Sequence, residues 1–290
     1  MSTAQLVARR RDGTRPLGRL AAVGPLTVVA GVVCVMLIAC AVAAPLIAPH
    51  DPTALDPLNV FAGSSAAHPL GTDDTGRDLL SRLIHGARTS LAGPALVILI
   101  SSVLGTALAL TAAWFGGWVD AGISRLLDML FAFPGLVIAV VAAAVFGAGF
   151  LAPVLALSVG YVPVVARVLR SAAMRERRLP YVAALQLQGL PTRRIWLRHL
   201  LPNLAPLVLA QSAVGFGYAM LDLAAISYIG LGVQPPQPNW GVMVAGGQPA
   251  ILNGAPQQSL YAALTVVVAV VAFNLVGERI ARHFEDGGAR

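Results

Sequence analysis

The sequence predicts an all-α, polytopic membrane protein of six spans, and three observations predict it. Of 290 residues, 57% are hydrophobic and 11% charged, a balance found in integral membrane proteins, which excludes a water-soluble enzyme. Apolar runs recur at the length of about 20 residues that a helix needs to cross a bilayer. The chain has no lysine, and its 20 arginines, the source of a net charge of +7, gather at the ends of those runs. That placement reads as membrane topology rather than as a nucleic-acid footprint.

Residues 1–24 form a basic N-terminal tail with Arg9, Arg10, Arg11, Arg15 and Arg19. The uncharged stretch 20–49 supplies the first span at 25–47. A secretory signal is the competing reading of residues 9–44, on their basic start and small residues. It is set aside because the apolar run is long enough to span. A polar external loop, 48–90, follows, and residues 91–114 make the second span. From Met129 to Ala166 the chain is uncharged for longer than one helix requires, so Gly147-Ala148-Gly149 is expected to split it into a hairpin of spans three and four. Span five is expected at 204–229 and span six at 260–276, with a tail from 281 to 290. Between them, residues 230–259 are too rich in Pro and Gly to continue a helix.

The basic interruption YVAALQLQGLPTRRIWLRHLLPN, Tyr181 to Asn203, separates two long apolar runs. It reads as two short helical pieces broken at Gly189-Leu190-Pro191, with Arg193, Arg194 and Arg198 after the break and Pro202 opening the next run. With the N-terminus inside, 17 arginines fall on the inner side and only Arg77, Arg82 and Arg88 outside. The positive-inside rule therefore makes this segment and both termini cytoplasmic, in a multi-pass plasma-membrane protein.

Some chemistry is missing. A P-loop needs a lysine, so this chain is not an ordinary P-loop ATPase. His50, His68, His85, His199 and His283 are scattered over loops and helix ends without a zinc-binding spacing, which favours loop-fixing roles and no metal. Cys34 and Cys40 share the first span more than a turn apart and cannot join in a disulfide.

Gly189 and Leu201-Pro202 fall where the cytoplasmic "EAA" loop of ABC-importer permeases has its glycine and Leu-Pro, so the segment resembles that loop. Two longer blocks are similar to the permeases of dipeptide, oligopeptide and nickel importers: HPLGTDDTGRDLLSRLIHGARTSL, His68 to Leu91, and ISYIGLGVQPPQPNWGVM, Ile226 to Met243. Shorter matches are Gly116 to Asp120, Arg125 to Asp128, Ala166-Arg167 and Phe273-Asn274-Leu275. The resemblance covers about residues 20–280. It implies a type I ABC importer permease fold, with residues 91–280 as a five-helix core and 171–203 as its coupling loop, and it implies the second of two permease subunits. One departure is that Ala183 stands where the family's motif opens with glutamate, followed by Ala184 and Leu185.

The resemblance further implies partners: a second permease, cytoplasmic ATPase subunits that bind ATP and magnesium, and an external substrate-binding protein. No cofactor is expected in this chain itself. Its implied function is to move di- or oligopeptides, with nickel, haem or glutathione as alternative cargo. Tyr181, Ala183, Ala184, Leu185, Gly189, Arg193, Arg194 and Pro202 are the implied contact with the ATPase.

Asp222 is the one acid deep within an apolar run. An intramembrane carboxylate is costly enough to be a candidate for the translocation path or its gate, with helix packing as the alternative. Arg125 and Asp128, three apart on a helical face, are expected to pair. Asp73, Asp74, Arg77 and Asp78 are candidates for contact with the binding protein, or equally for turn and cap roles. A stand-alone secondary transporter stays open as a different class, but it would show inverted repeats and several mid-membrane charges. A membrane-embedded hydrolase would need a paired nucleophile and base within the spans.

Overall fold

The computed structural model describes residues 25–288, and side chains through Arg282. The arginines of the basic tail, 1–24, lie outside the described residues. Among the described residues there is no strand, and eleven helices follow one another. α1, Pro25–Ile47, is a lipid-facing helix with Leu46 and Val42 largely exposed. It touches the bundle through small residues, with Ala30 and Cys34 packed on Ala272 of the last helix.

α2, Leu79–Phe115, has 37 residues and is therefore about 55 Å long, well beyond a hydrocarbon core of about 30 Å. Its first turns pack with the polar loop that precedes it. Asp78 caps it by accepting from the Ser81 N–H at 2.8 Å. At the other end Gly116 leaves the helix with φ +62°. α2 packs along α5, Leu151–Arg177, with Ala109, Ala112, Ala166 and Ala173 buried at the seam. A Cβ on Gly105 would lie 2.8 Å from the Val165 Cγ1, so glycine sets the approach of the two helices there.

The third expected span differs from its prediction. α3, Gly117–Phe131, and α4, Gly135–Phe146, meet at a 76° bend. Pro134 lacks an N–H and bars Phe133 from the helical region, so the chain turns before the apolar run ends. α4 keeps only 12 residues, about 18 Å, too short to cross alone. Five helices can each cross a membrane, or six spans result if the bent pair counts as one. The break at Gly147 and Gly149 is present, both with positive φ.

Past the break, α6 is Pro180–Leu187, α7 is Thr192–Ile195, and a wider turn over Trp196–Leu200 leads into α8, Leu201–Tyr228. The stretch 230–259 does not continue α8, as expected. Its Pro-rich start is irregular, but α9, Trp240–Gly246, and α10, Gln248–Leu252, follow. Asn239 caps α9 by accepting from the Gly241 N–H at 3.0 Å. Trp240 is buried and donates from its indole N–H to the Leu83 carbonyl at 2.9 Å, pinning α9 to the N-terminal end of α2. α11, Gln257–Gly288, continues through the expected tail and packs on α8, where Gly217 lies against Asn274 and Gly277 against Ala213.

Two interhelical ion pairs brace the bend. Arg170 of α5 holds Asp120 of α3 bidentately, and Arg167 reaches Asp128 at 2.5 Å while lying over the Phe131 ring. Asp128 thus pairs across helices and not with Arg125, because α5 passes close beside α3.

Candidate functional site: the broken basic segment and the Asp222 cavity

α6 begins with Pro180 in its first turn after an extended Leu179. Its end is set by hydrogen bonds. The Gly189 N–H donates to the Gln186 carbonyl at 2.9 Å and the Leu190 N–H to the Leu185 carbonyl at 3.2 Å. With Gly189 at φ +75°, this is the paired 5→2 and 6→1 arrangement of a Schellman ending. Pro191 then precedes α7. The two-piece reading broken at Gly189-Leu190-Pro191 is what the structure shows.

The inner side of the segment is fastened to the bundle. Val182, Ile195 and Leu200 are buried against Leu110, Ala113 and Trp114 of α2 and Ala172 and Ala173 of α5. The Trp196 ring meets Trp114 edge-on at 6.1 Å. Tyr181 donates to Glu176 at 2.7 Å, and Asn203 donates to the same carboxylate oxygen at 2.7 Å, joining the ends of α5, α6 and α8. Burial, then that carboxylate, pushes the Tyr181 phenol up to about 12.

The outer side is bare. Ala183, Ala184, Leu187, Gly189 and Pro202 are exposed, as are Arg193 and Arg194, and Leu185 is half-buried. Among the described residues no carboxylate pairs with either arginine. A short helix held rigidly from below, with small side chains and free cations above, can receive a partner and pass its displacement into α2, α5 and α8.

Asp222 lies on α8 and lines a cavity of about 390 Å³ with Phe131, Phe133, Pro134, Gly135 and Tyr161. Its carboxylate accepts from the Tyr161 hydroxyl of α5 at 2.9 Å. The bend between α3 and α4 forms one wall. An aromatic-lined chamber with a carboxylate suits transient contact with a polar or cationic passenger. Nothing in the uncharged run around Tyr161 announced it as this partner.

The four candidates of the loop before α2 separate. Asp73 is fully buried and accepts from the Thr75 and Arg77 N–H groups at 2.8 and 2.9 Å and from the Arg77 Nε at 2.7 Å, with the Arg82 Nε 3.5 Å away. Burial alone would raise its pKa, but these hydrogen bonds outweigh it and hold the carboxyl below the ordinary range. Asp78 is buried in its cap. Arg77 is mostly covered, and Asp74 is the one of the four with a half-exposed side chain. Sequence reading also missed that His50 and His68 come together beside Asp78, with ring centroids 4.9 Å apart.

Residues 101–287 match the family described as binding-protein-dependent transport system inner membrane component. The chain is 40% identical over 250 residues to the di/tripeptide transport system permease protein DppC of Pseudomonas aeruginosa, covering 84% of this chain and 82% of that protein. It is 34% identical over 253 residues to the dipeptide transport system permease protein DppC of Alkalihalophilus pseudofirmus, covering 87% and 83%. It is also 34% identical over 254 residues to the glutathione transport system permease protein GsiD of Pectobacterium atrosepticum, covering 87% and 84%. In fold it is similar to a chain of the MetNI methionine ABC transporter solved in inward-facing conformations, with a TM-score of 0.57 and 18% identity over 71% of this chain and 97% of that one. With the family match spanning most of the helical core and relatives aligned over more than four-fifths of their length, this chain belongs to the inner membrane components of binding-protein-dependent transport systems.

Proposed function

We propose that this chain is one of two permease subunits in an ATP-driven importer of di- or oligopeptides, fed by an external binding protein. The observation that carries the reading is the segment 181–203, buried and bonded on one side and bare on the other. Its exposed Arg193 and Arg194 are placed to meet carboxylates of an ATPase subunit, while Gly189 fixes the angle at which α6 is offered. Closure of two such ATPase subunits around ATP and magnesium pushes α6, and the Tyr181–Glu176–Asn203 link carries the push into α5 and α8. The second permease completes the pathway lined by Asp222. Peptide cargo follows from the names of the relatives; glutathione, itself a small peptide, is the alternative they offer. The arginine distribution supports the reading that both termini are cytoplasmic.

The test is reconstitution with a partner permease, ATPase subunits and a binding protein from the same organism. Dipeptide uptake driven by ATP is expected, with Arg193→Glu plus Arg194→Glu leaving membrane insertion intact but releasing the ATPase on purification. Uptake without any ATPase subunit would return the chain to the secondary transporters.

A further inference from the structure

The outer loop brings together three groups that the path and the coupling segment do not use. His50 follows the exit of α1 by three residues, His68 lies in the loop, and Asp78 caps α2. One ligand atom of each lies within 4.8 Å of the other two. The His68 Nδ1 is 3.0 Å from the Asp78 Oδ1, and the His50 Nδ1 is 3.8 Å from the Asp78 Oδ2. In a tetrahedral zinc site with bonds of about 2.0–2.1 Å, neighbouring donor atoms stand about 3.3 Å apart. The His–Asp separations bracket that value, each to a different oxygen of the Asp78 carboxylate, so the carboxylate faces the ion with both oxygens.

The groups are also held in place. The Asp78 Oδ2 accepts from the Ser81 N–H at 2.8 Å and from its hydroxyl at 2.7 Å, which leaves Oδ1 aimed at His68. The same Ser81 hydroxyl accepts from the His50 N–H at 3.0 Å, tying the backbone of one imidazole to the carboxylate's own support. His68 is fixed by an exchange with Ser65, donating to its hydroxyl at 3.0 Å and accepting from its N–H at 2.9 Å. Outer contacts of this kind orient metal ligands and sustain affinity. The His50 side chain is 41% exposed and the Asp78 side chain 1%. An ion can therefore enter from the outside, where the exposed His50 imidazole closes over it and a fourth position stays open.

We infer that His50, His68 and Asp78 form an external binding site for a zinc-class divalent ion. Two imidazoles and one carboxylate are the donor set such an ion favours, whereas magnesium and calcium prefer all-oxygen sites. The bound ion staples the end of α1, the loop and the start of α2 at one point.

The experiment uses the intact transporter complex, stripped with chelator and titrated with Zn²⁺ alone, with Co²⁺ as the spectroscopic probe. The wild type is expected to retain close to one zinc ion per chain more than His50→Ala, and to give a Co²⁺ spectrum of low coordination number that the variant lacks. Because loss of even an outer-shell partner weakens metal sites roughly 10–100-fold, loss of this ligand should weaken binding by about 100-fold or more. His85→Ala should retain the metal. Zinc should slow proteolysis of the 48–78 loop in the wild type and not in His50→Ala. His50→Ala carries the decision because its side chain is exposed and outside the cap, and equal thermal unfolding of the two metal-free complexes verifies that the variant folds. Equal zinc retention by both, or binding only at millimolar zinc, overturns the inference; neither outcome bears on the coupling segment.

Discussion

Asp222 and Asp73 show how one residue type acquires opposite roles from its surroundings. Asp222 sits at a cavity with a single tyrosine donor, so it is expected to act on what passes. Asp222→Asn keeps shape but removes charge, and should leave the complex assembled while uptake falls at least about tenfold, the effect of about 1.4 kcal/mol. Unchanged uptake in Asp222→Asn, together with failed assembly in Asp222→Leu, would assign it to packing instead. Asp73 has no exposed surface and balances Arg77 and Arg82, so Asp73→Ala takes the nearest carboxylate from the buried Arg82, at a cost of roughly 3–5 kcal/mol, while Arg77 keeps Asp74 at 3.7 Å. Its folded pKa lies below its unfolded value of 3.8, so its stabilisation is complete above that value and lost as pH falls through the folded pKa. Limited proteolysis of the loop should be flat from pH 7 to about 5 and rise below about 4. The charged groups facing Asp73 are Arg77 and Arg82, with Asp74 at the rim.

The helices were legible to the extent that hydropathy and caps define them. The first, second, fifth and sixth spans emerge from uncharged runs, and the end of α6 from Gly189 and Pro191. The bend between α3 and α4 was not, since counting apolar residues ignores backbone geometry; Pro134 was the available signal. α9 was hidden by the prolines before it, although Asn239 followed by Trp240 is a cap followed by a buried anchor. Helix contacts rest on glycine at the seam of α2 and α5. Gly105→Leu must move Val165 and the Ala166 backbone, and should cost about 1–3 kcal/mol by overpacking. Gly122→Ala on α3 meets nothing within 4 Å and should be neutral or stabilise by up to about 1 kcal/mol. Thermal unfolding in detergent separates them: Gly105→Leu melts lower, and equal melting would remove the close approach as a constraint.

For the whole molecule, composition gave the class and the broken basic segment gave the family, because both are local in sequence. The pairings that shape the sites are not local. Tyr161 and Asp222 are 61 residues apart, and Asp120 and Arg170 are 50 apart, so only the folded bundle brings them together. The central claim is that the segment 181–203 carries motion between an ATPase and the helices. Gly189 has open space around it but φ +75°, so a β-branched side chain is strained by the backbone alone, by more than about 1–2 kcal/mol, whereas asparagine adopts that region readily. The most direct measurement is ATP hydrolysis and peptide uptake by the assembled transporter in proteoliposomes with its binding protein. Gly189→Asn is predicted to keep both, and Gly189→Val to assemble yet lose substrate-stimulated hydrolysis and uptake together. Normal uptake by the assembled Gly189→Val transporter would contradict the account.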